Sequence, residues 1–163
     1  MYPNKKGWLI IGGAGYIGAH VSRTFIKNKV NVHVLDNLST GLRERLPKDI
    51  NFHNFDCSNT KKLNNLLNKN NIEGIVHLAA FKQARESKRK PLKYWSNNVT
   101  SMIEVLNSLR NSPVKYFVFS SSCSIYGNSE EVKEETKKNP LSPYGRTKNT
   151  CEIILNDCAK ELD

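Results

Sequence analysis

The sequence predicts a doubly wound α/β fold built on a parallel sheet, and three observations carry that prediction. Strand-like apolar runs alternate with helix-like stretches along the chain. The first run, Trp8-Leu9-Ile10-Ile11, breaks into a turn with glycines at Gly12, Gly15 and Gly18. The second, Asn31-Val32-His33-Val34-Leu35, ends on an acid, Asp36. Right-handed βαβ crossovers then imply strand order 3-2-1-4-5.

Each element has its own signal. After the glycines, Val21, Phe25 and Ile26 recur at helical spacing, and Lys27-Asn28-Lys29 closes that helix. Ile50-Asn51-Phe52-His53 alternates like an edge strand. Residues 60–70 read as a polar helix with a thin stripe of Leu63, Leu66 and Leu67. Gly74-Ile75-Val76-His77-Leu78 is nearly continuous in apolar character, as expected of a parallel strand covered on both faces. Pro91-Leu92 opens a long helix whose stripe is Val99, Met102, Ile103, Leu106 and Leu109, and Asn111-Ser112-Pro113 stops it. Lys115-Tyr116-Phe117-Val118-Phe119 is a fifth strand, expected to expose an edge. Residues 128–139 are charged and read as a surface excursion. A last helix starts near Tyr144, with Cys151, Ile154, Leu155, Cys158, Ala159 and Leu162 on its apolar face.

Bulk properties narrow the function. A chain of 163 residues with 38% hydrophobic and 25% charged residues suits a globular domain with a real core. No apolar run reaches membrane-spanning length. Met1-Tyr2-Pro3-Asn4-Lys5-Lys6 leads straight into the first strand with no secretory h-region, so a cytoplasmic setting and no membrane partner are expected. Cys57, Cys123, Cys151 and Cys158 have neither metal-ligand nor disulfide-framework spacing, and no metal is expected. The net charge of +10 is scattered; its densest cluster, Lys88-Arg89-Lys90, is short and carries no nucleic-acid motif. These cations read as a solvated surface that also attracts anionic cofactors or substrates.

The glycine turn has a chemical use. One glycine permits the tight reversal, another lets the backbone approach a pyrophosphate, and a third lets the helix lie against the strand. The helix N-terminus then presents free N–H groups. G-x-x-G-x-x-G is a variant of the dinucleotide fingerprint, and such turns also serve as plain connectors. Asp36 stands eighteen residues beyond Gly18, placed to bond both ribose hydroxyls of an adenosine and to repel a 2′-phosphate. That favours NAD over NADP. The same Asp could equally cap the turn formed by Asn37, Ser39 and Gly41. Tyr144 and Lys148 stand at i and i+4 on one helix face. An ammonium beside a phenol stabilises the phenolate, which suits the tyrosine to act as a base. Ser122, at the end of the fifth strand, could share the same substrate oxygen.

Taken together, these residues resemble the extended short-chain dehydrogenase/reductase family, and within it most the UDP-glucose (UDP-galactose) 4-epimerases. The resemblance rests on Gly12-Gly13-Ala14-Gly15-Tyr16-Ile17-Gly18, Asp36-Asn37-Leu38-Ser39, His77-Leu78-Ala79-Ala80-Phe81-Lys82 and Asn97-Asn98-Val99. It continues through Ser120-Ser121-Ser122, Tyr126-Gly127 and Pro143-Tyr144-Gly145-Arg146-Thr147-Lys148. It implies a Rossmann-like fold with NAD across the glycine turn, contacted by Gly12, Gly15, Tyr16, Ile17 and Gly18. Asp36, Asn37, Leu38 and Ser39 would hold the adenosine ribose side, with Asp56 and Cys57 near the adenine. Leu78, Ala79, Ala80, Lys82 and Asn97 would flank the cofactor. Tyr144 would take the proton from the 4-hydroxyl of a UDP-hexose while hydride passes to NAD and returns to the other face. Ser122 would assist, Lys148 would bind the nicotinamide ribose, and Ser124 and Tyr126 would lie near the sugar. Related dehydratases carry an Asp-Glu pair where this chain has Cys123 and Ser124, which points away from a dehydratase.

Family members extend further, with another parallel strand and a substrate domain. Residues 1–163 are therefore expected to be one incomplete NAD-binding domain, truncated before that last strand and the substrate domain. An epimerase fragment of galactose or other carbohydrate metabolism, with little activity alone, is the expectation. A non-catalytic NAD-binding module, another nucleotide-sugar enzyme of the same family, or one half of a two-chain protein are the alternatives. The resemblance also implies a homodimer through the helices at 92–110 and 144–162.

Overall fold

The computed structural model describes residues 6–129 and 131–159. In chain order the elements are β1 (Gly7–Ile11), α1 (Tyr16–Lys27), β2 (Asn31–Leu35), β3 (Asn51–His53) and α2 (Thr60–Lys69). They continue with β4 (Ile72–His77), α3 (Ala84–Arg89), α4 (Pro91–Trp95), a π-helical turn (Ser96–Thr100) and α5 (Ser101–Leu109). β5 (Tyr116–Phe119), a 3-10 turn (Cys123–Ile125) and α6 (Pro143–Cys158) complete the chain. Residues 1–5 and the helical position at Leu162 lie outside the described residues.

The chain forms two compact units. The first runs to Ala79 and resumes over Glu104–Ser120; the second comprises Ala80–Ile103 and the chain from Ser121 onward. All five strands belong to the first unit. They form one parallel sheet in the order β3-β2-β1-β4-β5. β1 lies at its centre, and its alternating side chains feed two cores. Leu9 and Ile11 join Leu35, Ile75 and the α2 stripe Leu63, Leu66 and Leu67 on one face. Ile10 joins Val32, Val34, Val76 and Ala19 of α1 on the other. Covering both faces is why the central strands read as unbroken apolar runs. Each fully buried leucine contributes about 1.5–3 kcal/mol relative to exposure. β5 is an edge bonded to β4, and its Tyr116 and Val118 are 55% and 51% exposed.

In the second unit, α6 starts at an Ser142 N-cap whose hydroxyl accepts the Gly145 N–H, with Pro143 in the first helical position. The buried part of α6 is its N-terminal half, Tyr144, Gly145, Thr147, Lys148 and Cys151. Ile154, Leu155 and Cys158 of the expected apolar face are only half-buried, and Ala159 is exposed.

The structure corrects three sequence expectations. The helix expected from Pro91 to Leu109 is interrupted by the π turn, which carries Asn98 inward. Beyond it, Met102 and Leu106 of the expected stripe are buried, joined by Val105, while Ile103 is 42% exposed. α3 has no apolar periodicity to announce it; of its six residues only Ser87 is buried. β4 begins at Ile72, two residues early, because Ile72 already pairs with Gly7.

One polar pair sits in the sheet. His33 on β2 is buried, and its Nδ1 lies 3.1 Å from Nε2 of His53 on β3, with the rings stacked at 11°. Burial first, and the neighbouring His53 second, hold His33 down to about 4, below its ordinary 6.5. Burial lowers His53 as well. The unfolded chain therefore binds more protons than the folded one between about pH 6.5 and pH 4, and stability falls as pH drops through that window. We expect a loss on the order of 1–3 kcal/mol in urea unfolding between pH 7.5 and pH 4.5. The His33→Gln variant should flatten this dependence; an unchanged slope would discharge the pair as its source.

Candidate functional site

The first unit places its predicted residues along the C-terminal ends of the strands, where open α/β sheets take ligands. Gly12 has φ +81, and its N–H donates to the Leu35 carbonyl at 2.8 Å. A Cβ there would stand 2.6 Å from the Ala79 backbone nitrogen. A Cβ at Gly18 would stand 2.4 Å from the Gly12 oxygen. The turn can therefore close only without side chains at these two points. Gly15 is the N-cap of α1 and supplies no side chain to bond the first-turn N–H groups. Those groups, on Tyr16, Ile17 and Gly18, are the ones an anion meets at a helix start.

Asp36 is buried. Its Oδ2 accepts the Ala14 N–H at 2.9 Å and its Oδ1 accepts the Leu38 N–H at 2.8 Å. The acid thus caps its own turn and ties that turn to the glycine loop. Two bonds leave lone pairs on a carboxylate that hydroxyls can still use. Next to it, Asn37 accepts the Ser39 N–H and donates to Asp56 Oδ2 at 2.8 Å. Partial burial alone would raise the Asp56 carboxyl, yet hydrogen bonds from Ser58 and Asn37 bring it below its ordinary value. So Asp36, Asn37, Leu38, Ser39 and Asp56 are brought together, with Cys57 beyond them packed half-buried on the core. Leu78 follows β4 and bonds Ile11 through its backbone, and Ala79 packs half-buried on the core. Ala80 and Lys82 fall in the second unit, Lys82 exposed.

The second unit gathers the predicted catalytic and sugar-side residues. Ser122 caps the 3-10 turn, its Oγ accepting the Ser124 N–H at 3.2 Å, so its own hydroxyl proton stays available for donation. Gly145 lies against this turn; a Cβ there would be 2.6 Å from the Ser124 oxygen. Tyr126 is half-buried beside it. Tyr144 and Lys148 occupy successive turns of α6, 8% and 4% exposed. Burial lowers the Lys148 ammonium to about 8, opposed by the Cys151 thiol one turn on. Burial pushes Cys151 up to about 11 in turn.

The sequence reading missed what holds Tyr144. The Tyr144 N–H donates to Ser87 Oγ at 3.1 Å, and its carbonyl accepts Thr147 Oγ1 at 2.7 Å. Its ring meets that of fully buried Tyr94 edge-on at 6.5 Å. Tyr94 donates to Glu86 Oε2 at 2.8 Å and accepts the Gln83 N–H at 3.2 Å. Behind these stands Asn98. Its Oδ1 accepts the Phe81 N–H at 2.9 Å, and its Nδ2 donates to the Phe81 carbonyl at 3.0 Å and to Thr147 Oγ1 at 3.1 Å. Asn97, the residue expected on the cofactor, is half-buried and bonds Asn98 Oδ1. The Asn-Asn doublet pointed to the right turn; the spacing of Tyr94 and Asn98, four apart, could have singled out the inward one. Among the described residues no group of three His, Cys, Asp or Glu could hold a metal, and no helix is long and apolar enough to cross a membrane.

A parallel sheet in the order 3-2-1-4-5 with a glycine turn at the first βα junction defines a Rossmann-like α/β fold. The chain belongs to the NAD dependent epimerase/dehydratase family, which matches residues 8–163. Among similar proteins, UDP-glucose 4-epimerase of Lactobacillus helveticus is 42% identical over 149 residues, covering 90% of this chain and 45% of that protein. UDP-arabinose 4-epimerase 1 of Arabidopsis thaliana is 34% identical, over 99% and 41% of the two chains. A UDP-glucose-4-epimerase structure from Stenotrophomonas maltophila, with bound NAD and formylated UDP-arabinopyranose, superposes with a TM-score of 0.91 at 29% identity. It covers 98% of this chain and 50% of its own. The chain spans about half the length of the relatives it matches.

Asn98 and Asn97 should separate in unfolding experiments. Asn98→Ala strands several buried partners and should cost about 2–4 kcal/mol. Asn97→Ala should cost under about 1 kcal/mol. Equal effects in urea titrations would remove Asn98 from the centre of this network.

Proposed function

We propose that this chain is the NAD-binding part of a UDP-hexose 4-epimerase that interconverts UDP-glucose and UDP-galactose. The observation that carries the reading is the glycine turn closed by Gly12 and Gly18 with Asp36 tied to it, in a chain that also buries the Tyr144–Lys148 pair. The turn fits a pyrophosphate because no Cβ fills the cradle and the α1 N-terminus is left uncapped by side chains. Asp36 would bond the adenosine ribose through its remaining lone pairs, with Asn37, Leu38, Ser39, Asp56 and Cys57 around it. Leu78, Ala79, Ala80, Lys82 and Asn97 would flank the cofactor. The chemistry that bound NAD supplies is reversible acceptance of hydride from the sugar C4.

The chain's own residues handle the protons. Tyr144 would take the proton of the 4-hydroxyl at its phenolic oxygen and give it back after the sugar turns over. Lys148, one turn on, would bond the nicotinamide ribose. Ser122 would donate its hydroxyl hydrogen to the same sugar oxygen, and Ser124 and Tyr126 would orient the hexose. Cys123 and Ser124 offer no acid–base pair for the elimination a dehydratase performs. A homodimer through 92–110 and 144–162 is part of the proposal, supported by the outward Leu92, Ile103 and Ile153. A monomer in light scattering at every concentration would overturn that part.

Calorimetric titration should show NAD binding more tightly than NADP, with the preference lost in Asp36→Ala. Equal or tighter NADP binding by the unmodified chain would sink the cofactor assignment. In a preparation that interconverts the two UDP-sugars, Tyr144→Phe should lower kcat by at least about 100-fold. Retention of activity would remove Tyr144 as the base.

A further inference from the structure

The groove between β3 and α2 takes no part in the chemistry above. It is open to solvent, with a volume of about 310 Å³. Its floor is apolar, made by Phe55 and Leu66. Lys62 and Lys69 reach it from α2 and His53 from β3, with the amides of Asn65 and Asn70 between them. No carboxylate lines it. Lys62 lies over the Phe55 ring, its Nζ 5.9 Å from the centroid. Neither lysine makes an ion pair among the described residues, and the Asn65 side chain has no hydrogen-bond partner among them. Behind His53, on β2, stands His33 at 3.1 Å.

We propose that this groove is a second ligand site, distinct from the glycine turn, which takes a small phosphomonoester borne on a compact aromatic or aliphatic body. The chemistry follows from the lining. Two ammonium groups and an imidazole line a groove that has no carboxylate, so the site favours an anion. Phe55 and Leu66 give the ligand's apolar body a surface that a bare ion could not use. The free amide of Asn65 supplies a directional donor for an oxyanion.

The histidine pair makes the site pH-linked. Burial disfavours the charged form of both rings, and the groups facing them from α2, Lys62 and Lys69, are themselves cationic. An anion beside His53 reverses that balance and favours proton uptake. Binding therefore tightens as pH falls from 7.5 to 6, and the site binds ligand and proton together.

The test is a titration of phenyl phosphate into the isotope-labelled chain saturated with NAD, read on backbone amides by NMR at pH 7.5 and pH 6. Saturable shifts confined to residues 53–55 and 62–70, at least threefold tighter at the lower pH, are expected. Lys62→Glu with Lys69→Glu, both on the exposed face of α2, should weaken binding at least tenfold. His53→Gln should lose the tightening at pH 6, its spectrum reporting that the fold is kept. Inorganic phosphate should bind at least fivefold more weakly than phenyl phosphate. Shifts at the glycine turn instead, no saturation, indifference to the lysine reversals, or equal binding of inorganic phosphate would each overturn the proposal.

Discussion

The first unit depends on how closely two backbones approach at the end of β1. The Gly12 oxygen lies where a Cβ on Gly18 would be, and the Ala79 nitrogen where one on Gly12 would be. This contact sets the start of α1 directly above the central strand. It also sets the strands, since Gly12 bonds β2 through Leu35 and Leu78 bonds β1 through Ile11. Asp36 then reaches back to Ala14 and closes the loop on itself. An acid that holds the turn and remains able to accept further hydrogen bonds joins fold and ligand recognition in one carboxylate. Its two sequence readings, turn cap and ribose partner, are compatible for that reason.

The second unit is organised by a side-chain amide. Asn98 uses both its oxygen and its nitrogen on the backbone of Phe81, as a neighbouring strand would, and extends one further bond to α6. Thr147 passes that constraint to the Tyr144 carbonyl while Ser87 holds the Tyr144 N–H. The tyrosine is thus fixed through its backbone at both sides and through its ring by Tyr94. A buried network in which nearly every donor and acceptor is used specifies one arrangement more strictly than apolar packing alone.

Much of this was legible in the sequence, and the exceptions have physical causes. The strand order followed from the strand–helix alternation and right-handed crossovers, and the central strands showed as apolar runs because a sheet covered on both faces buries both sides of them. Asp36 and the glycines announced themselves through spacing. α3 did not, since a short helix that buries one serine has no period to detect. Asn97 and Asn98 are identical in type and adjacent in sequence; which faces inward depends on local winding, and that winding was the irregular part. The burial of Lys148 was also hidden, because a lysine one turn beyond Tyr144 reads in sequence as readily on a solvated face.

The π turn at Ser96–Thr100 gives the chain a phase setting. It holds one more residue than an α-helical turn would, and Asn98 within it is turned inward. Removing one residue there would return the segment to α-helical winding and change the local path that carries Asn98 inward. The polar network around Asn98 would then need repair after a single deletion. The length of this turn, as much as the identity of its residues, decides which of two adjacent asparagines faces inward.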